Sequence, residues 1–176
     1  MLSVIIAVIV VLLDQLSKII AINYLEPVGK VPIIKDVLNF TYVTNDGAAF
    51  GMLSDNRYVF MVASVLIIAL LGFVVYKFHG QSKLFDVCLG LILGGGVGNM
   101  IDRIVHGYVV DFIDFCAFDF WTWVFNIADS AVVIGCILAI ICLVLEQKNG
   151  KKLFEENKAQ AEQIGDDVTD GEAKDE

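Results

Sequence analysis

The feature that most limits what this chain can become is the length of its apolar runs. Four blocks, residues 2–23, 58–78, 84–105 and 127–145, are almost unbroken aliphatic and aromatic sequence. About 20 apolar residues in a helix cross the hydrocarbon core of a bilayer. Backbone groups in that core must be satisfied within the segment or within a closed barrel. The alternation of barrel strands is missing. The blocks therefore predict an all-α membrane protein with four transmembrane helices. Composition agrees: 57% of the 176 residues are hydrophobic and only 19% are charged, against about a quarter in soluble domains. The first block lacks a basic leader and an Ala-x-Ala cleavage site, so it reads as a retained helix rather than a signal peptide.

Charge excludes one class. The net charge is -9, but residues from Glu146 onward hold ten acids and five bases, so about half of it belongs to the tail. No basic patch is present to neutralise phosphates, and nucleic acid is not an expected partner. Cys88, Cys116, Cys136 and Cys142 show no CxxC spacing, so neither a zinc site nor a disulfide framework is indicated. The domain reading is a four-helix membrane domain over residues 1–147 and an acidic, disordered, cytoplasmic tail over 148–176.

The connections differ in kind. Residues 77–83 form a short loop with Lys77 and Lys83, on the same side as Lys148, Lys151 and Lys152 beyond the last block. The positive-inside rule makes that side, and both termini, cytoplasmic. Lys30, Lys35 and Arg57 oppose this weakly, since they lie in the long loop 27–57. That loop contains a β-branched and aromatic stretch, 37–43, expected as a small extracytoplasmic β-like segment. The loop 106–126 is rich in aromatic residues, among them Phe118, Phe120, Trp121 and Trp123, which belong at the membrane boundary. It is expected to cover the site as a lid over 104–123.

With alternating helix direction, the polar residues gather at one membrane face, whichever way the protein is inserted. Asp14, Ser17 and Lys18 share a helical face at i, i+3, i+4, and Asn99, Asp102 and Arg103 repeat that spacing. Asn45 and Asp46 precede the second block, and Asn126 and Asp129 stand at the start of the fourth. Ionisable residues within spans are expensive and are functional candidates by default. Plain alternatives stand beside that reading. Asp14 and Lys18 read equally as a structural ion pair, and Asp102 with Arg103 as an interfacial pair reaching water. Gly94, Gly95, Gly96 and Gly98 read as close helix packing. His106 reads as a surface residue and Asp119 as a solvated one.

Asp111 and Asp129 are harder to dismiss. They flank the aromatic loop, one at each end, in apolar surroundings. Two carboxylates at such a boundary can divide one proton, so that one activates a water and the other donates to a carbonyl oxygen. No Ser–His or Cys–His pair is evident, and HExxH is absent.

Five motifs then appear in order: Asp14-Gln15-Leu16-Ser17-Lys18, Asn45-Asp46-Gly47-Ala48-Ala49-Phe50-Gly51, Gly98-Asn99-Met100-Ile101-Asp102-Arg103, Val109-Val110-Asp111-Phe112 and Phe125-Asn126-Ile127-Ala128-Asp129-Ser130. The chain closely resembles the bacterial lipoprotein signal peptidases, also called signal peptidase II, from the first block through the fourth. That resemblance implies a membrane aspartyl endopeptidase of the bacterial inner membrane. Such an enzyme removes the signal peptide of a prolipoprotein immediately before a cysteine carrying a diacylglyceryl group. It implies Asp111 and Asp129 as the catalytic pair. Asp14, Lys18, Asn45, Gly47, Asn99, Arg103, Asn126 and Ala128 are implied as residues that bind substrate or support the site. No metal or organic cofactor is implied, and the cyclic peptide globomycin is the implied inhibitor. The expected partners are diacylglyceryl-prolipoproteins and membrane lipids, with a monomer as the simplest expectation. Two rival classes remain at this point. A small carrier would place polar groups near the midplane, often in inverted repeats. An assembly subunit would use the same residues only to hold its helices together.

Overall fold

The computed structural model describes residues 1–46, 57–78, 80, 82–117, 123–145 and 147. Expectations placed on Gly47, Asp119, Phe118, Phe120, Trp121 and the 148–176 tail lie outside the described residues. The chain divides into two compact units, Met1–Ala139 and Ile140–Glu176. In the second, residues 140–145 are helical.

Helix α1 (Leu2–Ile20) ends in a wider π-type turn, Ala21–Leu25, where the Glu26 N–H donates to the Ala21 carbonyl at 3.0 Å. Strands β1 (Lys30–Ile34) and β2 (Leu38–Asn45) follow, then helices α2 (Arg57–Phe78) and α3 (Lys83–Val105). Strands β3 (Val109–Phe115) and β4 (Val124–Phe125) lead into helix α4 (Ile127–Leu145). Among the described residues, three segments are long and apolar enough to cross a membrane: Leu2–Leu25, Lys83–Val105 and Ile127–Leu145. Within α2 the apolar helix is Ser64–Phe78. The molecule is a mostly helical multi-pass membrane protein with a small sheet.

Helix α1 shows why water is the wrong solvent for it. Its buried stripe is Ser3, Ala7, Val10, Asp14 and Lys18, whereas Val8, Ile9, Leu12, Leu13, Leu16, Ile19 and Ile20 are exposed. A soluble helix hides its aliphatic face. Here the large aliphatic side chains face outward and the small and polar ones face protein, as expected of a helix in lipid.

Helices α1 and α3 run parallel in a constant register. Ser3 Oγ donates to Asp86 Oδ1 at 2.8 Å near their N-terminal ends. Gln15 Nε2 donates to the Gly98 carbonyl at 3.1 Å, and Lys18 pairs with Asp102 at 2.9 Å near their C-terminal ends. Glycines allow this approach. A Cβ on Gly94 would lie 2.8 Å from the Ala7 carbonyl oxygen, and one on Gly98 would lie 2.6 Å from Asp14 Oδ2. The close-packing reading holds for Gly94, Gly95 and Gly98, whereas a Cβ on Gly96 would meet only the Ile68 side chain, at 3.4 Å.

The four strands form one antiparallel sheet in the order β1-β2-β3-β4. The β-like segment expected at 37–43 is thus the second strand of a larger sheet. The segment 109–115, expected within a lid, is instead its third strand. Its Val110 and Phe112 seat against Ala21 and Leu25 of the π turn, with Tyr42, Tyr108 and Ile127 around them. This apolar plug fixes the sheet to the end of α1.

A register shift in the sheet positions a side chain for the site. Phe40 opposes Ile113, but Val43 opposes Asp111. One extra residue in β2 thereby reverses which of its side chains share a face with Asp111. Asn45, opposite Val109, comes onto that face and stands diagonally across from Asp111.

Candidate active site

The start of α4 is built as a reciprocal cap. The Asp129 N–H donates to Asn126 Oδ1 at 2.8 Å, and the Asn126 N–H donates back to Asp129 Oδ2 at 3.3 Å. That is a capping box with an aspartate in place of the usual Glu or Gln. A third orphan donor, the Ala128 N–H, is taken by Asp14 Oδ1 at 2.9 Å. Ala128 is fully buried against Gly95 and Gly98, which explains why a small side chain is needed there.

Lys18 lies under this cap. Its ammonium has three donors, and each has an acceptor: Asp14 Oδ2 at 2.8 Å, Asp102 Oδ2 at 2.9 Å and Asn99 Oδ1 at 2.8 Å. Gln15 Nε2 adds bonds to Asp102 Oδ1 at 2.9 Å and Asp14 Oδ2 at 3.2 Å. Asp14, Lys18 and Asp102 are all buried.

Lys18 also orients Asn99. An ammonium only donates, so the Asn99 oxygen must face it and the Asn99 NH2 must face away. That NH2 donates to Asp129 Oδ1 at 2.7 Å. Asn126 is fixed likewise, because its oxygen receives the Asp129 N–H. Its NH2 reaches Asp111 Oδ1 at 2.6 Å and Asn99 Oδ1 at 3.1 Å. The Asn45 NH2 covers Asp111 Oδ2 at 2.8 Å. Asp111 and Asp129 are therefore joined through two asparagine amides. Among the described residues neither forms an ion pair. Asp111 is 2% exposed, and its carboxyl is pushed up to about 6. Burial is the main cause, and the Asp129 charge adds to it. Bonds from Asn45 and Asn126 and the Lys18 charge oppose it.

A cleft of about 410 Å³ opens beside this arrangement. Asn99, Arg103 and Asp129 line its polar part with Ser64 of α2, and Ile67, Ile68, Leu71, Ile92 and Val132 are among its apolar walls. Asp111 is not among the lining residues; it stands behind Asn126. Arg103 Nη1 donates to the Asn99 carbonyl at 3.3 Å. The cation that reaches carboxylates here is Lys18, not Arg103. No group of three or more His, Cys, Asp or Glu side chains able to hold a metal occurs among the described residues.

A family model described as signal peptidase (SPase) II matches residues 6–145. The chain belongs to the signal peptidase II family. The lipoprotein signal peptidase of Halothermothrix orenii is 47% identical over 146 residues, covering 83% of this chain and 97% of that protein. The one from Caldanaerobacter subterraneus subsp. tengcongensis is 45% identical over 136 residues, covering 77% and 91%. Two solved structures described as bacterial membrane enzymes superpose with TM-scores of 0.74 and 0.73, each at 38% identity. They cover 84% and 80% of this chain and 90% and 91% of their own. Membership of the signal peptidase II family makes the chain a peptidase.

The structure of this family member brings together Asp14, Lys18, Asn45, Asn99, Asp111, Asn126, Ala128 and Asp129 in one hydrogen-bonded group. Arg103 joins it through the Asn99 backbone. Asp102 and Gln15 are the residues that sequence reasoning missed as part of the site. Asp102 does not reach water with Arg103; it is buried and turned toward α1. Its place three residues after Asn99, on the face that meets α1, was the available signal. His106 caps the end of α3 and stacks on Tyr108 at 5.7 Å, in keeping with a surface role.

Proposed function

We infer that the chain is an aspartyl endopeptidase that removes signal peptides from diacylglyceryl-modified prolipoproteins, cutting before the lipidated cysteine. The observation that carries this reading is the amide-linked pair, Asp111 buried and Asp129 half-buried, with no ion-pair partner among the described residues, beside a largely apolar cleft. Asp129 lines the cleft and takes the proton of a water as its oxygen bonds to the scissile carbonyl carbon. Asp111, whose carboxyl burial pushes up, donates its proton to the carbonyl oxygen. Collapse of the resulting diol breaks the C–N bond and passes a proton to the leaving nitrogen. Asn45 covers Asp111 with a single amide at the end of a strand, and displacement of that amide admits the substrate carbonyl. Asn99 and Asn126 hold the pair, and Arg103 completes the substrate-facing surface; Gly47 keeps the substrate-binding role that the resemblance implies.

We propose further that α2 is a fourth span beside the three long apolar segments. Since α1 and α3 run parallel, α2 carries the chain back between them, and α4 returns it again. The polar group then lies at one end of the bundle. The loop lysines Lys77 and Lys83 put the opposite end, with both termini, in the cytoplasm and the site at the extracytoplasmic face. The substrate's acyl chains and apolar signal helix reach that level from within the membrane. In this reading 1–147 is the peptidase domain, no chemistry is assigned to the acidic tail, and globomycin is the expected inhibitor.

The test uses purified protein in liposomes with a diacylglyceryl-modified prolipoprotein and its unmodified counterpart. Wild type should cleave only the lipidated one. Folded Asp111→Asn and Asp129→Asn should each lose at least about 10³-fold in rate. Cleavage retained by both folded variants removes these aspartates as the catalytic pair.

A further inference from the structure

We propose that Asp102 is a positioning residue that sets Asp111 through the Val110 peptide and, through Lys18, ties that setting to Asp129. The inference rests on the aspartyl reading above. Asp102 sits in the last turn of α3, nine residues before Asp111, and is 2% exposed. Its backbone carbonyl accepts the His106 N–H at 2.7 Å and the Gly107 N–H at 3.2 Å, closing the helix. Gly107, at φ +87, turns the chain into β3. The Asp102 side chain then accepts the Val110 N–H at 3.0 Å through Oδ2. One residue therefore holds both the end of the helix and the backbone N–H of Val110, the residue before Asp111. On the other side of Val110, Asn126 Nδ2 reaches the carbonyl at 3.4 Å.

The same Oδ2 receives the Lys18 ammonium. Lys18 in turn engages Asn99, which donates to Asp129, and Asp14, which holds the α4 N-terminus at Ala128. One buried ammonium thus connects the mounts of both catalytic carboxylates: Asp102 carries that of Asp111, and Asp14 with Asn99 carries that of Asp129. A carboxylate suits Asp102 because two charge-assisted bonds and the Gln15 bond converge on it. Asparagine keeps one oxygen for Val110 and Lys18, whereas alanine keeps none. Displacing a reacting group by about 1 Å costs about 10²-fold in rate.

The experiment measures kcat and KM on the lipidated substrate, per folded enzyme in liposomes, for Asp102→Ala, Asp102→Asn, Asp111→Asn and Ser3→Ala. Ser3 bonds Asp86 at the far end of the same helix pair, so its variant reports a defect in packing alone. Asp102→Ala is expected to lower kcat by about 10²-fold with KM within about twofold, and Asp102→Asn to recover about tenfold of that loss. Ser3→Ala should keep wild-type kcat and KM at reduced thermal stability. Where Asp102→Ala does not fold, a fall in kcat of about tenfold at constant KM in Asp102→Asn carries the test. Wild-type kcat in the folded Asp102 variants, alongside inactive Asp111→Asn, overturns the positioning role and leaves the dyad standing. A change in KM alone overturns it too, since that marks a substrate contact. An active Asp111→Asn overturns the dyad on which it rests.

Discussion

Two pairs of carboxylates lie within this one site, all buried but the half-buried Asp129, and they are held in opposite ways. Asp14 and Asp102 have an ammonium between them, at 2.8 and 2.9 Å. Asp111 and Asp129 have two neutral amides between them. A cation within hydrogen-bonding distance of both compensates their charge. An amide orients a carboxylate without neutralising it. The first pair suits a mount, and the second keeps the unbalanced charge that the proposed proton transfer requires. Residue type alone does not separate the two pairs; the group between the carboxylates does.

The comparison breaks most readily at Lys18. Lys18→Met removes the ammonium and leaves Asp14 and Asp102 buried without their shared partner. Losing one member of a buried charge pair costs about 3–5 kcal/mol. The expected outcome is a large fall in thermal midpoint or in folded yield from detergent. Adding Asp102→Asn to Lys18→Met should recover part of it, since one uncompensated charge is removed. Wild-type stability in Lys18→Met would show that the ammonium is not what holds the first pair.

Asp111 should respond with the opposite sign. Its folded carboxyl titrates at about 6, above the ordinary 3.8. The held proton stabilises the fold fully below about pH 4, and that stabilisation is lost as pH rises through about 6. At pH 7–8 the buried carboxylate is a liability, and Asp111→Asn should gain stability on the order of 1 kcal/mol. Asn45 can turn its oxygen toward the new amide. The variant is expected to be inactive yet at least as stable as wild type in thermal unfolding at pH 8, with the gain vanishing near pH 4. In wild type, kcat/KM should fall tenfold per unit on an alkaline limb that begins near pH 6, as the pair gives up its proton. A profile flat from pH 5 to 9 contradicts that assignment of the proton.

How much of this could be read from the chain follows from the range of each interaction. Helices are set by local runs, and α1, α3 and α4 lie within a few residues of the 2–23, 84–105 and 127–145 blocks. The gathering of polar residues at one end needs only alternating direction. Capping by Asn126 and Asp129 is an i, i+3 feature and also local. The Lys18–Asp102 pair crosses 84 positions of sequence and depends on the register of two parallel helices, which glycine contacts decide. Local spacing offered Asp102 a partner in Arg103, and tertiary register gave it Lys18. The sheet went partly unread for the same reason. In β3, Val110, Phe112 and Asp114 alternate with Asp111 and Ile113, but the aromatic content of the loop suggested a lid. The bulge in β2 that brings Asn45 to Asp111 has no local sign at all.

Asp114 sharpens the comparison from the weak side. It lies three residues beyond Asp111 on the same strand and has the opposite shift. Partial burial pushes its carboxyl up, but bonds from Thr41 at 2.8 Å, Lys30 at 3.2 Å and Asn39 at 3.3 Å together hold it below the ordinary value. With a lowered folded value, its contribution to stability is present above about pH 4 and is lost as pH falls further. Like Asp14, it has a lysine partner, but that lysine is 55% exposed on its side chain and solvent screens the pair. Exposed pairs of this kind are worth under about 1 kcal/mol. Lys30→Ala should therefore shift stability at neutral pH by no more than about 0.5 kcal/mol and leave cleavage of the lipidated substrate unchanged. High salt should erase even that difference. The same exchange of a lysine for a neutral residue is expected to disable the fold at position 18 and to pass almost unnoticed at position 30. If Lys30→Ala proved as damaging as Lys18→Met, burial would not be what distinguishes the two ion pairs.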